Sequence, residues 1–432
     1  MSILGLDAQR VTRLLRGVGW GGVDADADDA FARAAWTSVA EPGDGIAGLL
    51  VGSLGAAAAL QVVIDRRPSG DVAAMLSSGS ESAHGPLGGS PDAGRRAAGT
   101  SSGAVEASRS GSTGLKTITA ALERWQPRLS SADVIRSLEN AATIGAVLIL
   151  PGSCGWNDAL TDLGPHAPHA LWLRGSPDAA ACEGASIALV GARAATGYGE
   201  HIAMESSAGL VDRRFAIVSG AAYGIDGTAH RAAIAGGGVT VAYLAGGVDR
   251  PYPSGHESLL ERIRATGAVV SELPCGATPT KWRFLQRNRL IAAGSAATVV
   301  LEAGWRSGSI NTAGHAATLG RPLGAVPGPV TSPASAGCHR LIRDYAATCV
   351  TNAEQMAELA GWSTVAAEEP DRAESPDTLR LRDAMSVGRA RSVPDLAKRS
   401  GLSTRTVEAI LGMLALDGSA CEREQGWVIV RA

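Results

Sequence analysis

Apolar runs recur through the middle of the chain at Ile187–Val190, Phe215–Ser219, Val239–Leu244, Ala268–Ser271, Thr298–Leu301 and Leu323–Val326, with helical stretches between them. Unbroken apolar runs, rather than apolar–polar alternation, mark strands buried on both faces. The pattern from Ser186 onward therefore predicts an α/β domain with a doubly wound, mostly parallel sheet. Val147–Leu150 and Ala170–Arg174 read as two further strands ahead of it. Phe31–Ile64 predicts packed helices, and Thr117–Ser137 a helical segment with Leu122, Trp125 and Leu129 on one face. Ile46–Ile64 runs 19 residues without a charge, close to membrane-spanning length, but Gly48, Gly52 and Gly55 interrupt it. It reads as two short packed helices about a glycine turn.

Arg66–Gly114 is dense in Gly, Ser and Ala and holds no Phe, Trp or Tyr. Such a stretch buries too little apolar area to offset its ordering entropy, so it is expected to be a disordered insert. After Val350 the chain reads as helical, then as a charged linker up to Pro376. Val393–Arg399, the turn Ser400-Gly401-Leu402, the Ser403-capped helix to Leu416 and a hairpin ending in Trp427–Val430 make a winged-helix pattern. The expected layout is a helical region over 1–65, the insert over 66–115, the α/β domain over 116–355, a linker over 356–376 and a winged-helix domain over 377–432.

The net charge of −3 excludes a wholly basic nucleic-acid coat, but Gly184–Cys349 carries 15 Arg and Lys against 10 Asp and Glu, which is compatible with a phosphate-backbone footprint. Arginines outnumber lysines 36 to 3 in a chain with 55 glycines, which reads as genome composition. Where each arginine sits therefore matters more than how many there are. The six cysteines form no CxxC pair, and His166 and His169 read as residues of a solvated, proline-bearing loop. No metal and no cofactor is expected. Met1–Gln9 lacks the apolar core of a signal peptide, so a cytoplasmic protein with reduced thiols is expected.

The chemistry concentrates in two stretches 17 residues apart, Phe284-Leu285-Gln286-Arg287-Asn288-Arg289 and Ser307-Gly308-Ser309-Ile310-Asn311-Thr312-Ala313. The first sets an aromatic beside two guanidiniums, and the second is a hydroxyl-rich turn opening a helix. A polyanion with flat bases needs a stacking face, positive charge and oriented backbone N–H groups. Lys281, Phe284 and Arg287 recur every three residues, so a helical turn would align them. Alternatively, Phe284 plugs the core and an arginine pairs with Glu302 or Glu272. Gly191-Ala192-Arg193, at the end of the first long strand, opens a glycine-rich turn reaching Gly199, where α/β folds hold phosphates. Its spacing fits neither a dinucleotide fingerprint nor a Walker A loop. Arg193 serves either the crevice or a structural ion pair.

Gly220 and Gly224 end the second of these strands, followed by Asp226, which reads as a helix cap, and by His230, either a proton carrier or a packed side chain. Gly246 and Gly247 end the third and permit close approach of a ligand. Tyr252, between Pro251 and Pro253, reads as a rigid loop plug. There is no G-x-S-x-G elbow and no crevice-facing carboxylate pair, so these turns suit gripping better than cleaving and no catalytic residue is assigned.

Val190-Gly191-Ala192-Arg193, Ser219-Gly220-Ala221-Ala222-Tyr223-Gly224-Ile225-Asp226, Ala245-Gly246-Gly247-Val248-Asp249, Phe284 with Arg287-Asn288-Arg289, Ser307–Ala313 and Val326-Pro327-Gly328-Pro329 together resemble the ordered signature of the DprA (Smf) family of DNA-processing proteins. The resemblance spans about 190 residues of the chain. The helical N-terminal patch is similar to the family's sterile-alpha-motif-like or helix-hairpin-helix region, and the terminal unit to its winged helix. Leu285 stands where the family usually has proline. The resemblance implies a homodimer joined through a Rossmann-like domain. It implies that the protein binds single-stranded DNA, protects incoming DNA and loads a RecA-type recombinase during natural transformation. It places Arg193, Lys281 and Phe284 in the DNA pocket with Arg287 and Arg289 beside them. Gly191, Gly220, Gly246, Gly247, Ser307, Gly308, Ser309 and Thr312 would grip the backbone. One rival is a nucleoside-monophosphate phosphoribohydrolase of the same superfamily, with Ser307–Thr312 as its phosphate turn, though the next helix offers His315 rather than an acid. Another makes the winged helix the DNA reader, although its second helix carries only Arg405 and Glu408 as charges before Leu416.

Overall fold

The computed structural model describes residues 3–22, 26–82, 111–182, 185–361 and 375–430. The chain divides into two units, Met1–Trp362 and Ser363–Ala432. In the first unit, strands β1 (Val147–Ile149), β2 (Leu171–Gly175), β3 (Ser186–Gly191), β4 (Ala216–Ser219), β5 (Thr240–Tyr243), β6 (Ala268–Ser271), β7 (Ala297–Glu302), β8 (Leu323–Ala325) and β9 (Thr348–Cys349) form one sheet. Its order is β1-β2-β6-β5-β4-β3-β7-β8-β9. β1 and β2 run antiparallel at one edge, and all the pairings from β6 to β9 are parallel. From β3 the chain winds outward through β4, β5 and β6, then crosses back to lay β7 on the other side of β3. That reversal makes the β3/β7 boundary a topological switch point, where open α/β sheets form a crevice at their carboxyl ends.

Both faces of the sheet are covered, as the apolar runs require. Ile187 and Leu189 of β3 enter one core and Ala188 and Val190 the other. The unit's helices are α1 (Ala8–Gly17), α2 (Ala27–Val39), α3 (Gly45–Leu54), α4 (Ala56–Ile64), α5 (Ser69–Ser82), α6 (Gly111–Trp125), α7 (Ser131–Thr143), α8 (Pro177–Ala181), α9 (Gly197–Asp212), α10 (Ile225–Ala235), α11 (Glu257–Thr266), α12 (Lys281–Ala293), α13 (Ser309–Thr318), α14 (Ala336–Asp344) and α15 (Ala353–Leu359). Side chains of α9, α10 and α15 fill the core with Ile187 and Leu189, and those of α12, α13 and α14 fill the other.

Helices α1 to α7 build the N-terminal region around Phe31, Trp36, Leu60 and Trp125, all 1% exposed or less. Trp36 meets Trp125 edge-on at 5.2 Å and donates its indole N–H to the Ala56 carbonyl at 3.1 Å. Trp172 of β2 and Val269 of β6 belong to the same core, so this region is packed onto the sheet. A polar clasp completes the junction. Glu41 accepts from Arg283 of α12 through both carboxylate oxygens, at 2.8 and 3.0 Å, and from Arg128 at 2.7 Å.

The uncharged run at Ile46–Ile64 forms α3 and α4, bent by 116° at Gly55, whose φ of +81° suits a residue without Cβ. Among the described residues no single helix is long and apolar enough to cross a membrane. The sequence expectation for 66–115 needs correction at both ends. Ser69–Ser82 is helical, with Val72 buried and Met75 and Leu76 packed against the N-terminal core, an i, i+3, i+4 stripe in a stretch of low aromatic content. Gly111–Trp125 is helical as well, and 83–110 lies outside the described residues. His169 is not solvated; it is buried 5.7 Å from the Trp36 ring.

In the second unit α16 (Pro376–Ala384), α17 (Val393–Ser400) and α18 (Thr404–Leu416) precede the hairpin β10 (Ala420–Arg423) and β11 (Gly426–Ile429). Ser403 caps α18 by accepting from the Thr406 amide at 3.1 Å. Leu381, Leu396, Val407 and Leu411 are buried in its own small core. The Trp36→Ala variant removes the centre of the N-terminal core and is expected to lose about 3–5 kcal/mol of unfolding free energy, read from urea denaturation.

Candidate nucleic-acid interface

A cleft of about 1000 Å³ opens at the switch point. One wall is the turn after β3, from Gly191 to Ala194; the other is the turn after β7, from Gly304 to Ser309, with Thr312 behind it. The first turns of α12 form the floor. Helical spacing presents Lys281, Phe284 and Asn288 to the cleft. Arg193, Lys281, Phe284, Arg287, Gly191, Ser307, Gly308, Ser309 and Thr312 therefore all meet in one cavity.

The exposed guanidinium of Arg193 lies over the Phe284 ring, 4.9 Å from its centroid, and Arg287 approaches the same ring at 5.8 Å. Tyr252 is tilted against Phe284 at 5.3 Å. Lys281 is exposed at the first position of α12, a helix with no acidic residue in its first turn. A cation at a helix N-terminus opposes the macrodipole by about 0.3–1 kcal/mol, so its ammonium and the helix end add to one positive potential at the rim. The N-cap of α13 is Gly308, and the Ser307 hydroxyl accepts the Ser309 amide at 3.4 Å. The Ser307 and Ser309 hydroxyls lie 2.8 Å apart at the helix start, and Asn288 ties it to α12 through Asn311 at 3.1 Å.

Arg287 enters the cleft only by its edge. It is 5% exposed and donates to the Tyr243 carbonyl at 2.8 Å. Gly220 lies directly against it, where any Cβ would overlap the guanidinium. Burial pushes Arg287 down to about 10, partly offset by nearby Asp226, so it stays charged at neutral pH. Burial raises the Asp226 carboxyl, against Arg287 and the Gly220 and Ala222 amides that donate to it.

Four of the sequence-derived site residues lie outside the cleft. Arg289 is buried in a 2.7 Å ion pair with Glu272. Gly220 serves Arg287 rather than a ligand. Gly246 is pressed against Pro279, and Gly247 against Pro274 and Cys275, so their missing side chains permit loop packing. The phosphate expectation for the turn leading to Gly199 also changes. Buried Glu302 accepts from the Thr196 amide at 2.8 Å and its hydroxyl at 2.5 Å, and a Cβ on Gly199 would strike that carboxylate. The N-terminus of α9 thus already holds an internal anion.

Tyr252, expected as a loop plug, and Asn288 of the Phe284–Arg289 block also line the cleft, as do two residues the sequence did not single out, Trp305 and Arg306. Trp305 is 53% exposed, with Arg340 5.0 Å from its ring centroid. An aromatic–arginine pair directly before the hydroxyl-rich turn was a usable signal for the last two. His230 is a packed side chain, its Nδ1 2.6 Å from the Thr240 hydroxyl, which itself donates to the Ile217 carbonyl.

A family model described as DNA recombination-mediator protein A matches residues 148–361. A DprA protein of Mycobacterium tuberculosis is 46% identical over 273 residues, covering 62% of this chain and 70% of that protein. The chain belongs to the DprA family. Smf of Escherichia coli is 40% identical over 192 residues, covering 44% of this chain and 50% of that protein. The X-ray structure of DprA from Streptococcus pneumoniae superposes with a TM-score of 0.51 at 30% identity, covering 59% of this chain and 85% of that one. The DprA membership rests on the same stretch of chain that builds the cleft.

Burial holds His230 down to about 3 and His169 down to about 4, both neutral in the folded chain. The unfolded chain takes up these protons near pH 6.5, so stability present above that pH drains as pH falls toward 4, by up to about 1.4 kcal/mol per pH unit per histidine. The urea midpoint is expected to fall between pH 7 and pH 5 (roughly the upper part of that window), and His230→Gln to flatten the decline.

Proposed function

We propose that this DprA-family chain binds single-stranded DNA in the switch-point cleft without altering it covalently. The observation that carries the reading is Arg193 lying over Phe284 beside Lys281, a stacking face and two exposed cations at the open ends of parallel strands. Phosphates would be held by Arg193, Lys281 and Arg306 and by the hydroxyl-rich turn that opens α13, and an unpaired base would stack on Phe284 and Tyr252. Arg287 would act from below as a fixed positive charge. The family resemblance extends the proposal to protection of incoming DNA and delivery to a RecA-type recombinase during natural transformation. It also extends it to a homodimer formed through the Rossmann-like domain in the cytoplasm.

A hydrolytic reading finds less support. Asp226, the carboxylate that lines the cleft, is buried and receives the Gly220 and Ala222 amides, and Glu302, outside the lining, is buried and receives Thr196. Neither is poised as a base toward the cavity. In the C-terminal unit, α18 exposes Ala409, Gly412, Met413 and Leu416, a face suited to protein contact rather than to phosphates.

Replacing Arg193 and Lys281 together with alanine is expected to weaken binding of a labelled oligonucleotide. It should also reduce the log–log salt slope by about 1.4, at about 0.7 per single-strand phosphate contact. A folded double variant with unaltered affinity and slope refutes the site. Phe284→Ala is expected to cost about 1–3 kcal/mol of binding free energy, and Phe284→Trp to retain it.

A further inference from the structure

The cleft does not end at Tyr252. Tyr252 and Pro279 line both the cleft and a neighbouring hollow, and Arg250 and Thr278 of that hollow also line a second cleft of about 450 Å³. Shared lining residues thus link the three depressions from the switch point to the junction with the N-terminal helical region. On the α/β side the second cleft is walled by the loop Leu273–Thr278 and by Arg283. On the helical side it is walled by Thr37 and Ser38 at the end of α2, by Arg128, and by Arg136 and Asn140 of α7.

Four arginines face this second cleft: Arg128, Arg136, Arg250 and Arg283. Three carboxylates meet them. Burial pushes Glu41 up, but Arg283 and Arg128 bring its carboxyl below the ordinary value, so one anion is shared by two cations. Asp133 pairs with Arg136 one turn along α7, with both side chains more than 60% exposed. Asp249 lies 3.9 Å from Arg250 and already accepts the Gly276 amide at 2.9 Å. The Asp133–Arg136 pair is exposed and contributes about 0–1 kcal/mol, and Arg250 approaches Asp249 no closer than 3.9 Å, so both arginines can exchange their partners for phosphate oxygens at little cost. Among the described residues no aromatic side chain lines the second cleft.

We infer that a strand held in the first cleft runs on past Tyr252 and Pro279 into the second, where Arg250 and Arg136 hold its phosphates. The second station grips backbone and leaves the bases unread, because it offers guanidiniums, hydroxyls and an amide but no stacking face. The N-terminal helical region is then one wall of the DNA path. The inference rests on the reading that the first cleft takes single-stranded DNA.

The test uses the full chain with Arg136→Ala and Arg250→Ala combined, both at exposed side chains, and oligothymidylates of about 6 and about 16 nucleotides, which bracket common single-strand site sizes. The short oligonucleotide is expected to bind the variant as it binds the unaltered chain. The long one is expected to lose the affinity it gains over the short one, with a salt slope lower by about 1.4. An unchanged long-to-short affinity ratio overturns this inference and leaves the first cleft standing. Failure of the unaltered chain to bind either length overturns the first-cleft reading and this inference with it.

Discussion

A guanidinium that is almost wholly buried organises the open end of the sheet. Arg287 sits between the Tyr243 carbonyl at the end of β5, the backbone of Gly220 at the end of β4, and Asp226 at the start of α10. Burying an unpaired charge costs several kcal/mol, so the arrangement persists only with all its partners in place. It ties α12 across the ends of two strands. Phe284, one turn earlier on the same helix, is thereby fixed at the cleft floor, with Lys281 at the rim.

The remaining cations of α12 divide by helical phase. Lys281, Phe284 and Asn288 point to the cleft, whereas Arg283 and Arg289 point away from it. Arg289 pairs with Glu272, which also accepts the Gly43 amide at 3.4 Å, and Arg283 grips Glu41 two residues before Gly43. One helix thus joins the N-terminal region to the sheet and carries the exposed chemistry on its other side. That geometry places the second cleft beside the first.

Anion positions are divided in a similar way. A glycine-rich turn after the first strand of an open α/β sheet commonly offers its helix N-terminus to phosphate. Here Glu302, reaching up from the end of β7, occupies that position and satisfies Thr196. The helix start that lines the cleft is that of α13, on the opposite wall, where a neutral hydroxyl, that of Ser307, accepts the Ser309 amide.

Sheet and helices were legible along the chain because burial on two faces demands unbroken apolar runs, and strands β1 to β8 fall where those runs do. Only the two-residue edge strand β9 left no such run. The helix Ser69–Ser82 escaped notice because its apolar stripe is short and lies in a stretch rich in Gly and Ser. The block Phe284–Arg289 declared its chemistry in one dimension, but not which arginine faces outward. Arg193, Arg287 and Arg289 are the same residue type near the same strand ends, yet the first lies over an aromatic ring, the second is buried under it, and the third is locked to Glu272. Local sequence sets hydrophobic period, turn chemistry and helix starts. Which charges meet water, and which are consumed by distant carboxylates and carbonyls, depends on partners that only the folded chain brings within hydrogen-bonding distance.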